Sequence, residues 1–170
     1  MPMRRLLRRL IRNERGAVAV EMAIVGPPFL LTLLSIVELG LILTTQALLD
    51  GATRDAARAI RTGQIFLTGN NSVTAFQNIL CTDMGTIMNS VDCKTNVVIN
   101  VVSAHSTSFS QLNFNPCCTW NPGGGSDVVG VQVSYQRPFI IPWVGTVLSI
   151  NNSQKVPIVT TVVFRNEPFS

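Results

Sequence analysis

The sequence predicts an α+β protein: a single N-terminal transmembrane helix continues into a stalk helix, followed by a small antiparallel β-sheet domain. Three observations carry that prediction. Residues 17–43 are almost wholly apolar and follow directly on a cluster of arginines. Residues 47–61 hold apolar side chains at helical spacing. Residues 97–102, 129–135 and 156–164 are rich in branched side chains, the last two in alternation. The chain divides accordingly into a basic leader over 1–16, a transmembrane helix over 17–44, a stalk helix over 45–63 and an exported α+β domain over 64–170.

The leader holds all the excess charge. Arg4, Arg5, Arg8, Arg9, Arg12 and Arg15 precede Gly16, with Glu14 the one acid among them. The rest of the chain carries seven basic and eight acidic residues, so the net charge of +4 is not spread over a folded face. Arginines abutting an apolar run are the pattern of a membrane anchor with its head in the cytoplasm. A nucleic-acid surface would spread basic residues over one face of a fold, and no nucleic-acid partner is expected. Charged residues are 13% of the chain, about half the usual ~25%, which fits a membrane segment and excludes a disordered chain.

The apolar run exceeds the ~20 residues that a helix needs to cross a bilayer. A cleaved secretory signal has a shorter apolar core followed by a small-residue site. Thr44-Thr45-Gln46-Ala47 is a poor site of that kind, so the segment should stay in the mature protein. Pro27 and Pro28 interrupt the helix's hydrogen bonding and would ordinarily kink it, although membrane helices tolerate proline. Two carboxylates interrupt the apolarity. Glu38 lies ~32 Å beyond Ala17 at ~1.5 Å per residue, at the far edge of the hydrocarbon, and reads as an interfacial residue without special role. Glu21 lies only ~6 Å in. It either snorkels to the cytoplasmic headgroups or pairs with a positive charge supplied after processing, because an ionisable group in lipid normally has a partner.

Leu48, Ala52, Ala56, Ala59 and Ile60 line one helical face of the stalk, with Asp50, Arg54, Asp55 and Arg58 mostly elsewhere and Gly63 as a C-terminal cap. That face packs on its own domain or takes a partner. Residues 72–84 repeat a helical stripe through Val73, Phe76, Ile79 and Leu80, with Ser72 as cap. The three branched runs should form one antiparallel sheet with a face against the helices. Residues 115–127, with Pro116, Pro122 and Gly123-Gly124-Gly125, form a loop. That glycine run lacks the lysine and the following helix of a phosphate-binding loop. Residues 138–143 are apolar and aromatic and read as core in preference to a membrane-touching segment.

No catalytic set is evident, and no cofactor or metal is expected. Cys81, Cys93, Cys117 and Cys118 all follow the anchor, where an oxidising compartment favours disulfides. Zinc, with His105 as an extra ligand, is the rival, but the paired hooks of structural zinc sites are missing. Cys81–Cys93 closes a short loop and is the first choice. Cys117 and Cys118 then pair with each other or stay free, and the crossed alternatives link both to the earlier pair. His105, among Ser103, Ser106 and Ser108, reads as a solvated loop residue.

Gly16 followed by Glu21 is similar to the prepilin processing pattern: basic leader, glycine, cleavage, then glutamate at the fifth mature position of an apolar helix. Arg15-Gly16-Ala17-Val18-Ala19-Val20-Glu21-Met22-Ala23 resembles the opening of TadE-like proteins of the tight-adherence (Tad/Flp) pilus system. Pro27-Pro28-Phe29-Leu30-Leu31 is similar to that family's proline-containing helix. Ala56-Ala57-Arg58-Ala59-Ile60-Arg61-Thr62-Gly63 resembles its alanine-arginine segment, and Asn166-Glu167-Pro168-Phe169 an ending seen in some members. Met22 departs from the phenylalanine that often follows the glutamate. The resemblance implies cleavage between Gly16 and Ala17 by a prepilin peptidase. It also implies a role as minor pilin or pseudopilin beside other pilin subunits and the assembly machinery at the bacterial inner membrane. The chain would be single-pass, its N-terminus cytoplasmic and its C-terminal domain periplasmic or incorporated at the pilus. The rival readings are a membrane-tethered envelope enzyme or ligand-binding domain, and a pseudopilin of a related secretion system.

Overall fold

The computed structural model describes residues 16–67, 72–86, 88–105, 109–114, 118–148 and 154–168. The leader arginines Arg4, Arg5, Arg8, Arg9, Arg12 and Arg15, together with Cys117, lie outside these residues, as do Asn115 and Pro116 of the expected 115–127 loop.

The predicted α+β class is borne out. Helix α1 spans Ala17–Arg61, 45 residues without interruption, with Pro27 and Pro28 inside it. It is long and apolar enough to cross a membrane. Hydroxyls in this helix fold back on it: Thr32 donates to the Pro28 carbonyl and Ser35 to that of Leu31, each at 2.8 Å. Such bonds take polar groups out of competition with the surroundings. The helix ends where Gly63 adopts φ 74° and its N–H donates to the Ile60 carbonyl at 3.0 Å. That left-handed conformation costs a side-chain-bearing residue ~1–2 kcal/mol and glycine little, so the expected cap is where it was read.

Short helix α2, Gln64–Leu67, turns the chain into α3, Ser72–Asp83. Phe76 and Leu80 of α3 are fully buried, as the stripe required. The Ser72 hydroxyl accepts from the Trp120 indole at 2.7 Å, and Trp120 meets Phe76 edge-on with centroids 5.7 Å apart. A 3₁₀ turn over Met84–Thr86 leads to α4, Ser90–Asn96, capped by the Asn89 side chain on the Val91 N–H at 3.2 Å.

Three strands follow: β1, Val97–Ala104; β2, Val128–Pro138; and β3, Lys155–Arg165. Both pairings are antiparallel and β2 is central. The register aligns Val101, Val131 and Val162, then Ile99, Val133 and Thr160, then Val97, Tyr135 and Ile158. These rows form the inner face. They meet Leu49, Ala52, Ala56, Ala57 and Ile60 of α1 and Phe76, Leu80 and Met84 in one core. Alanines at the stalk positions let the helix lie close on the sheet. The expected apolar stalk face thus packs on the protein's own domain. Loop residues cover the opposite face beside β1. The Asn100 amide donates to the Phe114 carbonyl at 2.8 Å and its Oδ1 accepts from the Thr119 N–H at 3.1 Å.

Between β2 and β3 the chain forms helix α5, Pro142–Leu148. The expectation that residues 138–143 belong to the core is corrected here: Ile140 and Trp143 are 65% and 77% exposed. The segment lies beside α1, with Val144 buried and the Ile140 N–H on Glu38, while Ile140 and Trp143 face outward.

Candidate membrane-helix site and its buried ion pair

Helix α1 begins at Ala17 directly after Gly16. Glu21 follows one turn later on the exposed surface, among exposed Val18, Val20, Met22, Ile24 and Val25. Among the described residues it has no hydrogen-bond or ion-pair partner. The new chain end that cleavage would expose therefore falls at the start of a helix, within a turn of an unmatched carboxylate.

Farther along the same helix the second carboxylate behaves in the opposite way. Glu38 is fully buried, and its Oε1 accepts from Arg137 Nη1 at 2.6 Å and from the Ile140 N–H at 3.4 Å. Arg137 is itself 6% exposed. The reading of Glu38 as an interfacial residue without special role is thereby corrected. Its depth along the helix is as calculated, but it is sealed between α1 and the end of β2. Local structure accounts for the pairing. Val129, Val131, Val133 and Tyr135 alternate inward along β2, and Arg137 is the next residue of the same parity. A guanidinium directed at the helix below the apolar rows needs an acid, and one lies within reach. Among the described residues Glu38 Oε2 is buried without a partner.

Further contacts tie α1 to the sheet above this point. Thr160 donates to Asp50 at 2.9 Å, the Gln46 amide reaches the Val159 carbonyl at 3.3 Å, and the Glu167 N–H donates to the Arg61 carbonyl at 3.0 Å. The Asn166 amide group donates to the carbonyls of Pro122 and Gly124 at 3.0 and 2.9 Å. The Asn166-Glu167 ending therefore fastens the glycine loop and the top of the stalk together.

Cys81 and Cys93 are joined, Cα atoms 5.7 Å apart, which links α3 to α4. Cys118 is also disulfide-bonded. His105 is exposed, yet its Nδ1 lies 2.5 Å from Asp127 Oδ1, a partner that the loop reading did not foresee. Asp127 also accepts from the Gly124 N–H at 2.7 Å and so organises the glycine turn. Among the described residues no cluster of three His, Cys, Asp or Glu side chains is disposed to hold a metal.

Comparison with known proteins bears on the helix alone. Residues 16–58 match the family model for TadE-like proteins. The TadE-like segment starts at Gly16, takes in Glu21, the two prolines and Glu38, and stops just short of the end of α1. The sheet, the disulfide and Arg137 lie beyond it. No curated protein and no solved structure shows a significant match to the chain.

Proposed function

We propose that this chain is a minor pilin or pseudopilin-like protein that acts in the assembly of a Tad/Flp-type adhesive pilus. The observation that carries the reading is the coincidence of the TadE-like match with a helix that begins at Ala17 and holds an unpartnered Glu21 one turn in. A prepilin peptidase cuts between Gly16 and Ala17, leaving the arginine-rich leader on the cytoplasmic side of the inner membrane. The cut creates an α-ammonium at Ala17. Glu21 of an adjacent subunit, ~6 Å into its own helix, neutralises that charge. An isolated carboxylate in apolar surroundings is costly and a matched pair is tolerable, so the pairing favours one register between neighbouring helices. The domain after the stalk lies in the periplasm or along the fibre. Its disulfide chemistry and its lack of an evident catalytic set support a structural role.

The test uses cells that contain the pilus machinery. Intact-mass analysis of the membrane-bound protein should find Ala17 as first residue; a mature chain retaining Met1 or Met3 would count against processing. Glu21→Gln should still insert and be cut, yet crosslink poorly to pilin subunits and give few pili. Glu21→Asp should be intermediate, because the charge remains and its reach shortens. Normal crosslinking and piliation in Glu21→Gln would remove Glu21 from assembly and leave it a snorkelling side chain.

A further inference from the structure

We infer that the segment after β2, Phe139–Leu148, is a second membrane element, entering the acyl chains of the outer leaflet beside α1. The inference rests on the reading of α1 as the membrane span. It starts from direction. β3 rises alongside the stalk, Val159 near Gln46 and Thr160 near Asp50. β2 descends to Arg137 at the level of Glu38. Among the described residues that follow, Ile141, Trp143 and Val144 lie opposite helix positions that precede Glu38, on the membrane side of that ion pair.

The contacts agree with the direction. Ile141, Trp143 and Val144 form one wall of a groove of about 670 Å³, and Pro27, Leu30 and Leu34 are on the other. Counting ~1.5 Å per residue from Ala17, those helix positions lie ~15–26 Å into the bilayer. That depth is inside a ~30 Å hydrocarbon layer. A segment that faces the helix across a groove there shares the helix's surroundings, so it cannot sit in water while the helix sits in lipid.

The chemistry of the connection also suits lipid. No residue from Phe139 to Leu148 is charged, and Arg137 lies just before them. The large side chains that face outward are Ile140 and Trp143, the reverse of what an aqueous surface selects. In the bilayer every backbone polar group needs a partner within the protein. Pro138 and Pro142 carry no N–H. The Phe139 N–H donates to the Gln154 carbonyl at 3.1 Å, that of Ile140 to Glu38, and that of Gly145 to the Ile141 carbonyl at 3.1 Å. The Thr146 hydroxyl donates to the Trp143 carbonyl at 2.7 Å. Gly145 allows the crossing to be this tight: a Cβ there would come within 2.6 Å of Gln154 Oε1 and 3.0 Å of the Phe139 ring. The Glu38–Arg137 pair then closes the top of the element, where hydrocarbon gives way to headgroups.

The full chain, reconstituted in phosphatidylcholine–phosphatidylglycerol vesicles with brominated acyl chains, tests this through tryptophan emission. Trp120 is packed on Phe76 within the domain, so the difference between the native chain and Trp143→Phe isolates Trp143. Because Trp143 is exposed, that variant should keep its fold, checked by the Trp120 emission and an intact Cys81–Cys93 bridge. The expected result is blue-shifted Trp143 emission, quenched by brominated lipid, untouched by aqueous iodide, and lost in Trp143→Phe. Resistance to alkaline carbonate extraction reports separately that α1 spans. If the protein resists extraction but iodide quenches Trp143 and brominated lipid does not, the inference falls and the span stands. Shielding from both quenchers would mean that a second copy or another protein covers the site, and the inference falls again. Release by carbonate would overturn the span and the inference together.

Discussion

At the scale of single residues, the Glu38–Arg137 contact and Tyr135 carry the sharpest consequences. Removing one partner of a buried ion pair strands the other, typically at a cost of about 3–5 kcal/mol. Replacing both by apolar side chains of similar size is often neutral. Arg137→Met or Glu38→Leu should therefore each lower the unfolding free energy of the detergent-solubilised full chain by about that amount. The double variant should be more stable than either. Denaturant titration of the four proteins forms a double-mutant cycle, and simple addition of the two losses would show that the pair is not coupled. Tyr135, on the inner row of β2, adds a pH dependence. Burial raises its phenol pKa above the usual value of 10.0; nearby Arg137 opposes this and Asp92 adds to it. The folded state thus holds the proton more tightly than the unfolded state. Its contribution is complete below pH 10 and is lost as pH rises through the folded value. The denaturation midpoint should fall more steeply on the alkaline side in the native chain than in Tyr135→Phe, and parallel curves would refute this.

At the scale of elements, the Cys81–Cys93 bridge holds α4 to α3 across a separation of 12 residues. Both sulfurs are buried in the core, so the short α4 is fixed from both sides. Loop-closure entropy for that separation is worth about 3 kcal/mol. Cys81→Ala with Cys93→Ala should lose roughly this much in thermal or denaturant unfolding. Hydrogen exchange should quicken first in α4, a seven-residue helix whose other side-chain bonds, from the Asn89 cap, Thr95 and Asn96, are all local; unchanged protection there would contradict the role given to the bridge. The same elements show what the sequence could tell. The three strands were legible because each is rich in branched side chains, and in the second and third these alternate with the period of the pleat. The stalk was legible because alanine and leucine repeat with the period of a helix. Helix α4 was not, since Ser-Val-Asp-Cys-Lys-Thr-Asn has no apolar stripe and only Asn89 announces it. Helix α5 was missed because Pro-Trp-Val-Gly-Thr-Val-Leu is short and carries glycine and branched side chains of low helix propensity, although proline at a first helical position is itself a start signal.

At the scale of the whole molecule, the assignment of a membrane helix needed only composition and the arginines before it. The role of Glu38 needed the third dimension, for its partner lies 99 residues away. One clue was present in the chain: Arg137 continues the inward parity of Val129, Val131, Val133 and Tyr135. An arginine on a buried row calls for an acid. Among the positions facing it, an acid inside an apolar helix is the candidate that most needs a cation. A practical consequence concerns water-soluble fragments. A piece that omits the apolar run and starts at Thr44 keeps Leu49, Ala52, Ala56 and Ile60, and with them the core. It loses Glu38, so Arg137 opens to solvent. In that fragment Arg137→Met should change stability by no more than about 0.5 kcal/mol, the usual span for surface positions, whereas the intact chain should show the full loss. Stability measurements on the trimmed protein would then class as a replaceable surface arginine the residue that, in the whole protein, latches the globular part to its long apolar helix.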